Sequence, residues 1–427
     1  LTSSISVQNN ERKSTVKDPM SLVCGSSEKP LIYQTIPQVL QQTIDQWGDR
    51  EAIVVRHQGI RWSYRQLGEA VDAFAAGLLA LDLTPGDRIG IWSPNNIEWV
   101  IAQFATAKAG LILVNINPAY RKAELSYTLQ KVGCKALILA SAFKSSNYIA
   151  MLQEIAPGIS DSEPGQLGLS ELPALKSLIV IGDEAFPGMY RFDEIAALAP
   201  GDAEQKLAAI AENSKPDDAI NVQFTSGTTG LPKGATLTHF NVVNNGYFTG
   251  QAMKLSERDR LCIPVPLYHC FGMVLGVLAC VTHGATMVFP SEDFEAMAVL
   301  EAVSEESCTA LHGVPTMFIA ELEHPEFKQF DLSSLRTGIM AGAPCPVEVM
   351  RKVIGEMHMT EVTICYGMTE TSPVSFQSAT DDPLEKRVST VGRVHPHVQV
   401  KIIDTSGQTV PRGVSGELCT RGYSVML

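Results

Sequence analysis

Short apolar runs alternate with longer amphipathic patterns over most of this sequence, and this alternation limits its possible folds most strongly. Between Glu51 and Gly182 the candidate strands read EAIVV, RIGIW, LILVNI, KALILA and SLIVIG, each bounded by turn residues. The stretches between them carry apolar residues at three-to-four spacing and glycine near their ends, as helices do. Such alternation predicts right-handed crossovers and a parallel sheet that is covered on both faces.

A second alternating run begins near Asn221. Its candidate strands read RLCIPVP, ATMVFP, CTALHGV, RTGIMA and EVTICYG, and helical patterns separate most of them. After Val391 the pattern changes to short strands with Gly/Pro turns, which is typical of a small antiparallel or barrel unit. We therefore predict an α/β fold with two doubly wound, mainly parallel-sheet subdomains and the start of a small β-barrel subdomain.

At 427 residues the chain is longer than one core usually organises. We predict a disordered N-terminal segment at 1–30, a first α/β subdomain at 31–220, a second at 221–391 with the nucleotide and acyl site, and a partial β subdomain at 392–427. The opening is polar and aperiodic, which favours disorder. The chain begins with Leu and ends without a stop pattern, so we expect a trimmed start and a truncated end.

The acidic balance of the chain excludes some classes of partner. A net charge of −13 and a pI near 5.2 argue against nucleic acid and anionic membranes, because both attract basic surfaces. Nine cysteines without a C-x-x-C pair favour a reducing interior. No segment approaches the roughly twenty apolar residues of a membrane helix, so no integral membrane segment is expected. The oligomeric state stays open.

The run TSGTTGLPKG, Thr225–Gly234, combines many hydroxyls with little side chain and carries one lysine. Backbone N–H groups in such a loop can converge on one anion, because no Cβ blocks the approach. Lys233 adds a positive charge, so the run suits a polyphosphate. It is not a Walker loop, since Pro232 precedes the lysine and a strand-like pattern follows it. A flexible linker is the alternative, although apolar residues flank the run on both sides.

The segment ICYGMTETSP follows a strand-like run, where ligand-contacting groups are expected at the carboxyl edge of a parallel sheet. Tyr366 can stack on a planar ring, Thr369 can donate to a phosphate and Glu370 can hold Mg²⁺. A simple turn after a core strand is the alternative.

The segment IMAGAPCP places small residues, 342–344, after another buried strand. They would admit a flat ligand close to the backbone. A plain helix-entry turn explains this segment equally well.

The motifs TSGTTGLPKG, GAP and YGMTET, with their spacing, resemble the adenylate-forming (AMP-binding) superfamily of acyl-CoA synthetases, amino-acid adenylation domains and luciferases. Further matches are RWSYRQL, PLYHCFG, VGR and GELCTRG, and the resemblance extends from about Thr35 to the end. It implies a two-step reaction. A carboxylate attacks the α-phosphate of Mg·ATP to give acyl-AMP and pyrophosphate, and the thiol of coenzyme A then displaces AMP.

The resemblance also implies roles for individual residues. The expected catalytic residues are His269, Thr369, Glu370 and Lys233, with Glu370 as the Mg²⁺ ligand. The expected ATP phosphate-binding residues are Thr225, Ser226, Gly227, Thr228, Thr229, Gly230, Leu231, Pro232 and Lys233. The expected adenine-binding residues are Gly342, Ala343, Pro344, Tyr366 and Gly367. The expected acyl-pocket residues are His269, Phe271, Gly272, Val314, Met317 and Gly338. For His269, a hydrogen-bonded core histidine is the alternative.

The acid is expected to lack an amino group. Amino-acid-activating relatives usually carry an Asp in the segment that matches Pro266–Gly272, and here that segment holds no carboxylate to pair a buried ammonium. Apolar residues nearby suit an alkyl chain, at about 0.8 kcal/mol per buried CH₂ group. The resemblance implies a medium-chain fatty acid, while aryl and long-chain acids stay open.

The same resemblance implies ATP, Mg²⁺ and coenzyme A as substrates and activator, no prosthetic group, and a place in the mitochondrial matrix. The family pattern continues with a ribose-binding Asp and a C-terminal lid lysine that this sequence lacks, so we expect little activity from this chain alone. Two rivals stay open. One is a superfamily member that uses another acid or a carrier-protein acceptor, and the other is a catalytically silent ATP- or acyl-binding relative.

Overall fold

The computed structural model of the chain describes residues 19–225 and 231–427. Its strands are β1 (Leu22–Cys24), β2 (Glu51–Val55), β3 (Ile60–Ser63), β4 (Arg88–Trp92), β5 (Ile112–Asn115), β6 (Cys134–Ala140), β7 (Ala142–Phe143), β8 (Ser146–Asn147), β9 (Ser177–Ile181), β10 (Tyr190–Arg191), β11 (Ala219–Thr225), β12 (Lys233–Thr238), β13 (Arg260–Cys262), β14 (Thr286–Phe289), β15 (Ala310–Gly313), β16 (Thr337–Ala341), β17 (Glu361–Gly367), β18 (Val374–Gln377), β19 (Arg393–Val394), β20 (Val398–Ile403) and β21 (Glu417–Gly422).

The α-helices are α1 (Ile36–Trp47), α2 (Tyr64–Leu78), α3 (Ile97–Lys108), α4 (Lys122–Val132), α5 (Tyr148–Ile155), α6 (Ala203–Asn213), α7 (His239–Ala252), α8 (Cys270–Gly272), α9 (Ala279–Val281), α10 (Ala296–Glu305), α11 (Pro315–Leu322), α12 (Val347–Glu356) and α13 (Leu384–Ser389). A π-helical turn, Met273–Leu278, joins α8 to α9. Short 3₁₀ segments cover Arg56–Gln58, Pro157–Asp161, Phe192–Leu198, Phe327–Gln329 and Thr369–Thr371. Within the described residues, no helix is both long and apolar enough to cross a membrane.

Two large sheets organise the chain. The first has seven strands in the order β10-β9-β6-β4-β5-β11-β12, and all its pairings are parallel except that of β11 with β12. The second has nine strands in the order β19-β18-β17-β16-β15-β13-β14-β2-β3, parallel from β17 to β2 and antiparallel at both edges. This arrangement confirms the predicted α/β class with two mainly parallel sheets.

The sheets exchange hairpins across the predicted boundary between 31–220 and 221–391. The hairpin β2–β3, early in the chain, completes the second sheet, where Ile53 pairs with Met287 of β14. The hairpin β11–β12 completes the first sheet, where Val222 pairs with Val114 of β5. The predicted boundary therefore does not separate the two sheets. Apolar periodicity identifies a strand but carries no information about its distant partner, which is why the sequence could not reveal the exchange.

A third sheet, β1-β20-β21, is antiparallel and contains the two long strands after Val391, as predicted for a β unit, whereas the short strand β19 joins the second sheet. Strand β1 corrects the prediction that 1–30 is disordered. Leu22 pairs with Lys401 and Cys24 with Gln399, so the backbone of this polar region is held by a strand from the far end of the chain. The rest of that prediction, for 1–18, lies outside the described residues.

The largest core lies between the two sheets and contains α3, α7 and the helical segment 270–281. Ten of the twelve residues of α3 are buried, and the Asn96 side chain caps its start by accepting from the Trp99 N–H at 2.8 Å. Helix α7 is buried to a similar degree and is capped by Thr238. Helix α3 follows the carboxyl end of β4, whereas α7 follows β12, whose last residue Thr238 pairs with Ala219 at the amino end of β11.

Candidate functional site

The base of the TSGTTGLPKG run is the hairpin of β11 and β12, in which Thr225 lies opposite Lys233. The Thr225 hydroxyl donates to Oε1 of Glu370 at 3.4 Å and lies 3.5 Å from the Lys233 carbonyl oxygen. Of the other predicted phosphate-binding residues, 226–230 lie outside the described residues, Leu231 is exposed, and the Pro232 carbonyl oxygen accepts from the Tyr127 hydroxyl at 3.3 Å. The structure thus brings two motifs that are far apart in sequence into direct contact, across the two large sheets.

The YGMTET motif begins in β17 and continues into the 3₁₀ segment Thr369–Thr371. Thr369 is buried and Glu370 is half-buried. A Cβ at Gly367 would lie 1.7 Å from the Pro373 carbonyl oxygen, so only glycine fits where the strand ends. The close backbone approach turns the chain directly after the strand, which places Glu370 against the base of the hairpin.

The predicted adenine-binding residues share one edge of the second sheet. Strands β16 and β17 are parallel, with Ala341 paired to Cys365, so Gly342–Pro344 and Tyr366 leave neighbouring strands at the same end. All of these residues are exposed, and the Tyr366 ring makes a T-shaped contact with Phe376 at a centroid distance of 5.9 Å. Gly342 has φ +88, a conformation that favours glycine.

His269 precedes α8 and caps it, because its Nδ1 accepts from the Phe271 N–H at 3.1 Å. The neutral ring therefore carries its proton on Nε2. Solvent can reach this side chain, yet it is surrounded by protein, and burial lowers the pKa of its imidazole. Both properties are those of a group in a concave site, where it stays neutral and can donate from Nε2.

Cys270, the next residue, is completely buried, and its thiol donates to Oε1 of Gln223 at 2.8 Å. Burial raises the pKa of this thiol to about 12, while the neighbouring Thr369 hydroxyl acts in the opposite direction. The thiolate is thus absent at neutral pH, which excludes Cys270 as a nucleophile.

The predicted acyl-pocket residues fall into two groups. Phe271 packs against His312 with ring centroids 5.3 Å apart, and Val314 and Met317 follow β15 as half-buried side chains of the same core. A Cβ on Gly342 would meet Val314 at 3.1 Å, so this group lies beside the adenine-binding segment.

Two predicted acyl-pocket glycines are held by close backbone contacts. A Cβ on Gly272 would lie 2.4 Å from the Pro266 carbonyl oxygen. Gly338 lies near the amino end of β16, paired with Leu311, and is therefore separated from the other predicted pocket residues by most of the strand. Its place in the pocket stays a prediction.

The residues around Glu370 suit a magnesium ion that arrives with a nucleotide. Mg²⁺ prefers carboxylate, phosphate and water oxygens and often takes only one or two protein ligands. Within residues 19–225 and 231–427, no Lys, Arg or His side chain forms an ion pair with Glu370, so its carboxylate is free of a competing cation. The described chain contains no cluster of three or more His, Cys, Asp or Glu side chains that could hold a metal ion.

Sequence reasoning missed three buried carboxamides behind this site, those of Gln103, Asn115 and Gln223. Each is at most 3% exposed. The available signal was a polar residue inside an otherwise apolar strand or helix pattern, as in VQF and LVN. A pattern of this kind shows that an amide is buried, but it does not show which backbone groups the amide binds.

Comparison with known proteins agrees with this geometry. The model of the AMP-binding enzyme family matches residues 40–427. The putative acyl-CoA synthetase YngI of Bacillus subtilis (strain 168) is 47% identical over 397 residues, which are 93% of this chain and 72% of that protein. The mitochondrial medium-chain acyl-CoA ligase ACSF2 of Danio rerio is 46% identical over 410 residues, or 95% of this chain and 68% of that protein.

Among solved structures, the anthranilate CoA ligase AuaEII in complex with anthranoyl-AMP superimposes with a TM-score of 0.81. The match covers 94% of this chain and 72% of that chain at 24% identity, and it confirms the fold. The resemblance that the motifs show to mitochondrial medium-chain acyl-CoA synthetase family member 2 is confirmed by the ACSF2 match. Since the family model covers nearly the whole described chain, the protein belongs to the AMP-binding enzyme family.

Proposed function

We propose that this protein activates a medium-chain fatty acid with ATP, through acyl-AMP, and transfers the acyl group to coenzyme A. The observation that carries the proposal is the contact of Thr225 with Glu370 at 3.4 Å. It joins the base of a glycine- and hydroxyl-rich hairpin to a carboxylate that forms no ion pair within the described residues, and a magnesium-bound triphosphate requires both groups.

In the first step, the chain binds the triphosphate and holds it in line with the incoming carboxylate. The hairpin residues 225–233 would surround the β- and γ-phosphates, and Lys233 would neutralise charge on the leaving pyrophosphate. Thr369, buried beside the hairpin, would donate to the α-phosphate. His269 would donate from Nε2 to the oxygens that gather charge as the acyl carboxylate attacks the α-phosphate, since its Nδ1 is occupied by the Phe271 N–H.

Glu370 would hold Mg²⁺ on the bound nucleotide, and the ion would neutralise charge on the phosphate oxygens. The Thr225 hydroxyl orients that carboxylate toward the hairpin. On the other side of the site, Gly342–Pro344 and the exposed ring of Tyr366 would hold the adenine ring between them.

The acid would enter over His269 toward Phe271, Val314 and Met317. These side chains are apolar, and the segment Pro266–Gly272 offers no carboxylate to pair with a substrate ammonium. Relatives named as medium-chain acyl-CoA ligases support a medium alkyl chain, and their mitochondrial names support a matrix location.

The experiment is an assay of AMP release by the full-length protein with straight-chain acids from acetate to palmitate, with and without coenzyme A. We expect the highest kcat/KM for medium-chain acids and sustained AMP release only when coenzyme A is present. Equal AMP release without coenzyme A would favour a different acceptor. Absence of AMP release with every acid, in a protein that still binds ATP, would identify a silent binding relative and contradict the proposal.

A further inference from the structure

Three buried carboxamides converge on one residue behind the proposed acyl site. Nε2 of Gln103, on α3, donates to the Met273 carbonyl oxygen at 3.2 Å. Nδ2 of Asn115, at the end of β5, and Nε2 of Gln223, on β11, both approach the Met273 sulfur, at 3.2 and 3.1 Å. We call Gln103, Asn115 and Gln223 the carboxamide cluster. A thioether is a weak hydrogen-bond acceptor, so these two contacts add little stability. We infer that the two amides instead fix the position of the Met273 side chain.

Met273 is the first residue of the π-helical turn that follows α8. Single π-helical turns are rare and are often found at functional sites, because they alter which side chains face a cavity. The turn begins four residues after His269, whose carbonyl oxygen accepts from the N–H groups of Gly272 and Met273 at 3.0 and 3.2 Å. The orientation of His269 therefore depends on how Met273 is held.

The same cluster also holds the chain on both sides of His269. Nδ2 of Asn115 donates to the Tyr268 carbonyl oxygen at 2.9 Å. Oε1 of Gln223 accepts from the Cys270 thiol at 2.8 Å. His269 thus lies between two residues whose polar atoms are both tied to the first sheet.

The carboxamides are oriented by the sheet itself. Gln223 and Asn115 are register partners on neighbouring parallel strands, so their side chains leave the same sheet side by side. Nδ2 of Asn221 donates to Oδ1 of Asn115 at 2.8 Å, which leaves the Asn115 amino group directed at the Tyr268 backbone. An apolar core would avoid the cost of burying these amides, so their presence indicates a need for a defined orientation.

We propose that the residues of the carboxamide cluster are positioning residues, which fix the distance of the segment Tyr268–Met273 from the first sheet and its orientation. In this way they shape the acyl-binding part of the site. The adenine part depends on other elements, since Tyr366 and Gly342–Pro344 extend from β17 and β16. The cluster should therefore control affinity for the acyl group and leave affinity for the nucleotide largely unchanged. This inference rests on the proposed function.

The test compares two ligands by isothermal titration calorimetry: AMP, and octanoyl-sulfamoyl-adenosine, an unreactive mimic of octanoyl-AMP. Asn115→Leu removes the contacts to Tyr268 and Met273 at nearly constant volume, and Gln103→Met removes the bond to the Met273 carbonyl. For both variants we expect the affinity for the mimic to fall about tenfold or more, while that for AMP changes less than about threefold.

The matched control is Asn244→Leu. Asn244, on α7, is also a fully buried amide, but its hydrogen bonds go to the backbone of Ile32, at 2.7 and 2.9 Å, and to the Phe240 carbonyl oxygen, at 2.9 Å. It should lower the thermal midpoint to a similar extent and leave the ratio of the two affinities unchanged. A merely structural role for the cluster would give all three variants the same ratio.

Each other outcome decides the question. Equal weakening of both ligands by Asn115→Leu, or no weakening of the mimic, would overturn the inference and leave the proposed function intact. If Asn115→Leu fails to fold, Gln103→Met decides, because it removes a single hydrogen bond. Failure of both to fold beside a folded Asn244→Leu would also overturn the inference. A wild-type protein that binds neither ligand would contradict the proposed function itself.

Discussion

At the scale of single residues, the proposed site depends on a carboxylate whose charge no described cation neutralises. Glu370 lies beside the Thr225 hydroxyl and would have Mg²⁺ as its partner in the nucleotide complex. Its role can be separated from a structural role, because an amide of the same shape keeps the contact with Thr225 and loses only the charge.

We expect Glu370→Gln to lower acyl-AMP formation by about a hundredfold or more, as is typical when charge stabilisation of a transition state is lost. The measurement is fatty-acid-dependent exchange of pyrophosphate into ATP at several magnesium concentrations. Glu348→Gln, an exposed carboxylate on α12 that pairs with Arg351, serves as the control and should retain full exchange. Full exchange by Glu370→Gln would remove this residue from the mechanism.

A second prediction concerns the ring of Tyr366, which is 41% exposed although it follows a core strand. Tyr366→Ala should raise the KM for ATP about tenfold through loss of stacking, whereas Tyr366→Phe should keep it. Since the ring contributes little to the core, neither change should move the thermal midpoint far. If Tyr366→Ala and Tyr366→Phe have the same KM for ATP, the adenine ring does not stack on the side chain of Tyr366.

Residues with special chemistry could be identified from the sequence, while residues that act through others could not. Thr225 and Glu370 were each predicted as nucleotide-binding residues from their motifs, but the direct contact between them was not predicted and appears only in the structure. The roles of Gln103 and Asn115 could not be predicted, because the sequence does not show which hydrogen-bond partners a buried amide has.

At the scale of elements, helix α11 carries a buried carboxyl group, that of Glu321, whose burial destabilises the fold. Glu321 is fully buried beside Phe318, and neither carboxylate oxygen has a hydrogen-bond partner within the described parts of the chain. Burial raises the pKa of this carboxyl well above its ordinary value, so the folded protein keeps it protonated. The unfolded chain loses that proton at a lower pH, and the resulting penalty to folding grows as the pH rises above about 4.5.

We therefore expect Glu321→Met to stabilise the protein at pH 8 by about 1–3 kcal/mol, the usual cost of an unpartnered buried polar group. The gain should shrink as the pH falls to 4, because the carboxyl is then mostly protonated in the unfolded chain as well as in the folded protein. Urea denaturation of wild type and variant at the two pH values measures this. A variant that is less stable than wild type at pH 8 would indicate a partner for Glu321 that the structure does not show.

Strand and helix identities could mostly be predicted from periodicity, because the buried strands are short apolar runs and the helices are amphipathic. The strand β1 was missed, since LVC is only three residues long and its side chains are exposed. The π-helical turn was also beyond prediction, because FGMVLGVL is apolar on every side and so has no face that periodicity could detect.

At the scale of the whole molecule, buried histidines make the fold sensitive to acid. Burial lowers the pKa of His239 and His312 to about 4 and that of His395 to about 3. The unfolded chain binds protons at these side chains near pH 6.5, before the folded protein does. Above pH 6.5 these histidines are neutral in both states and do not reduce the free energy of unfolding. As the pH falls from 6.5 toward 4, protonation in the unfolded chain lowers the free energy of unfolding.

We expect the free energy of unfolding to decline steadily between pH 6.5 and 4, by on the order of 1 kcal/mol per pH unit for each buried histidine. His239→Asn, which keeps an acceptor for the Ile36 N–H, should make this decline shallower. A slope that His239→Asn does not alter would assign the acid sensitivity to other groups.

The hairpin exchange between the two sheets also bears on how the chain reaches its structure during synthesis. Strand β2 leaves the ribosome more than two hundred residues before its neighbour β14, and contacts this distant along the chain slow folding. The second sheet cannot be completed until the hairpin β2–β3 pairs with β14, which is synthesised much later. The first sheet is likewise incomplete until β11 and β12 have been synthesised. Neither sheet can therefore fold completely without the other part of the chain. Cutting the chain between residues 220 and 221 should yield two aggregation-prone fragments rather than two stable domains.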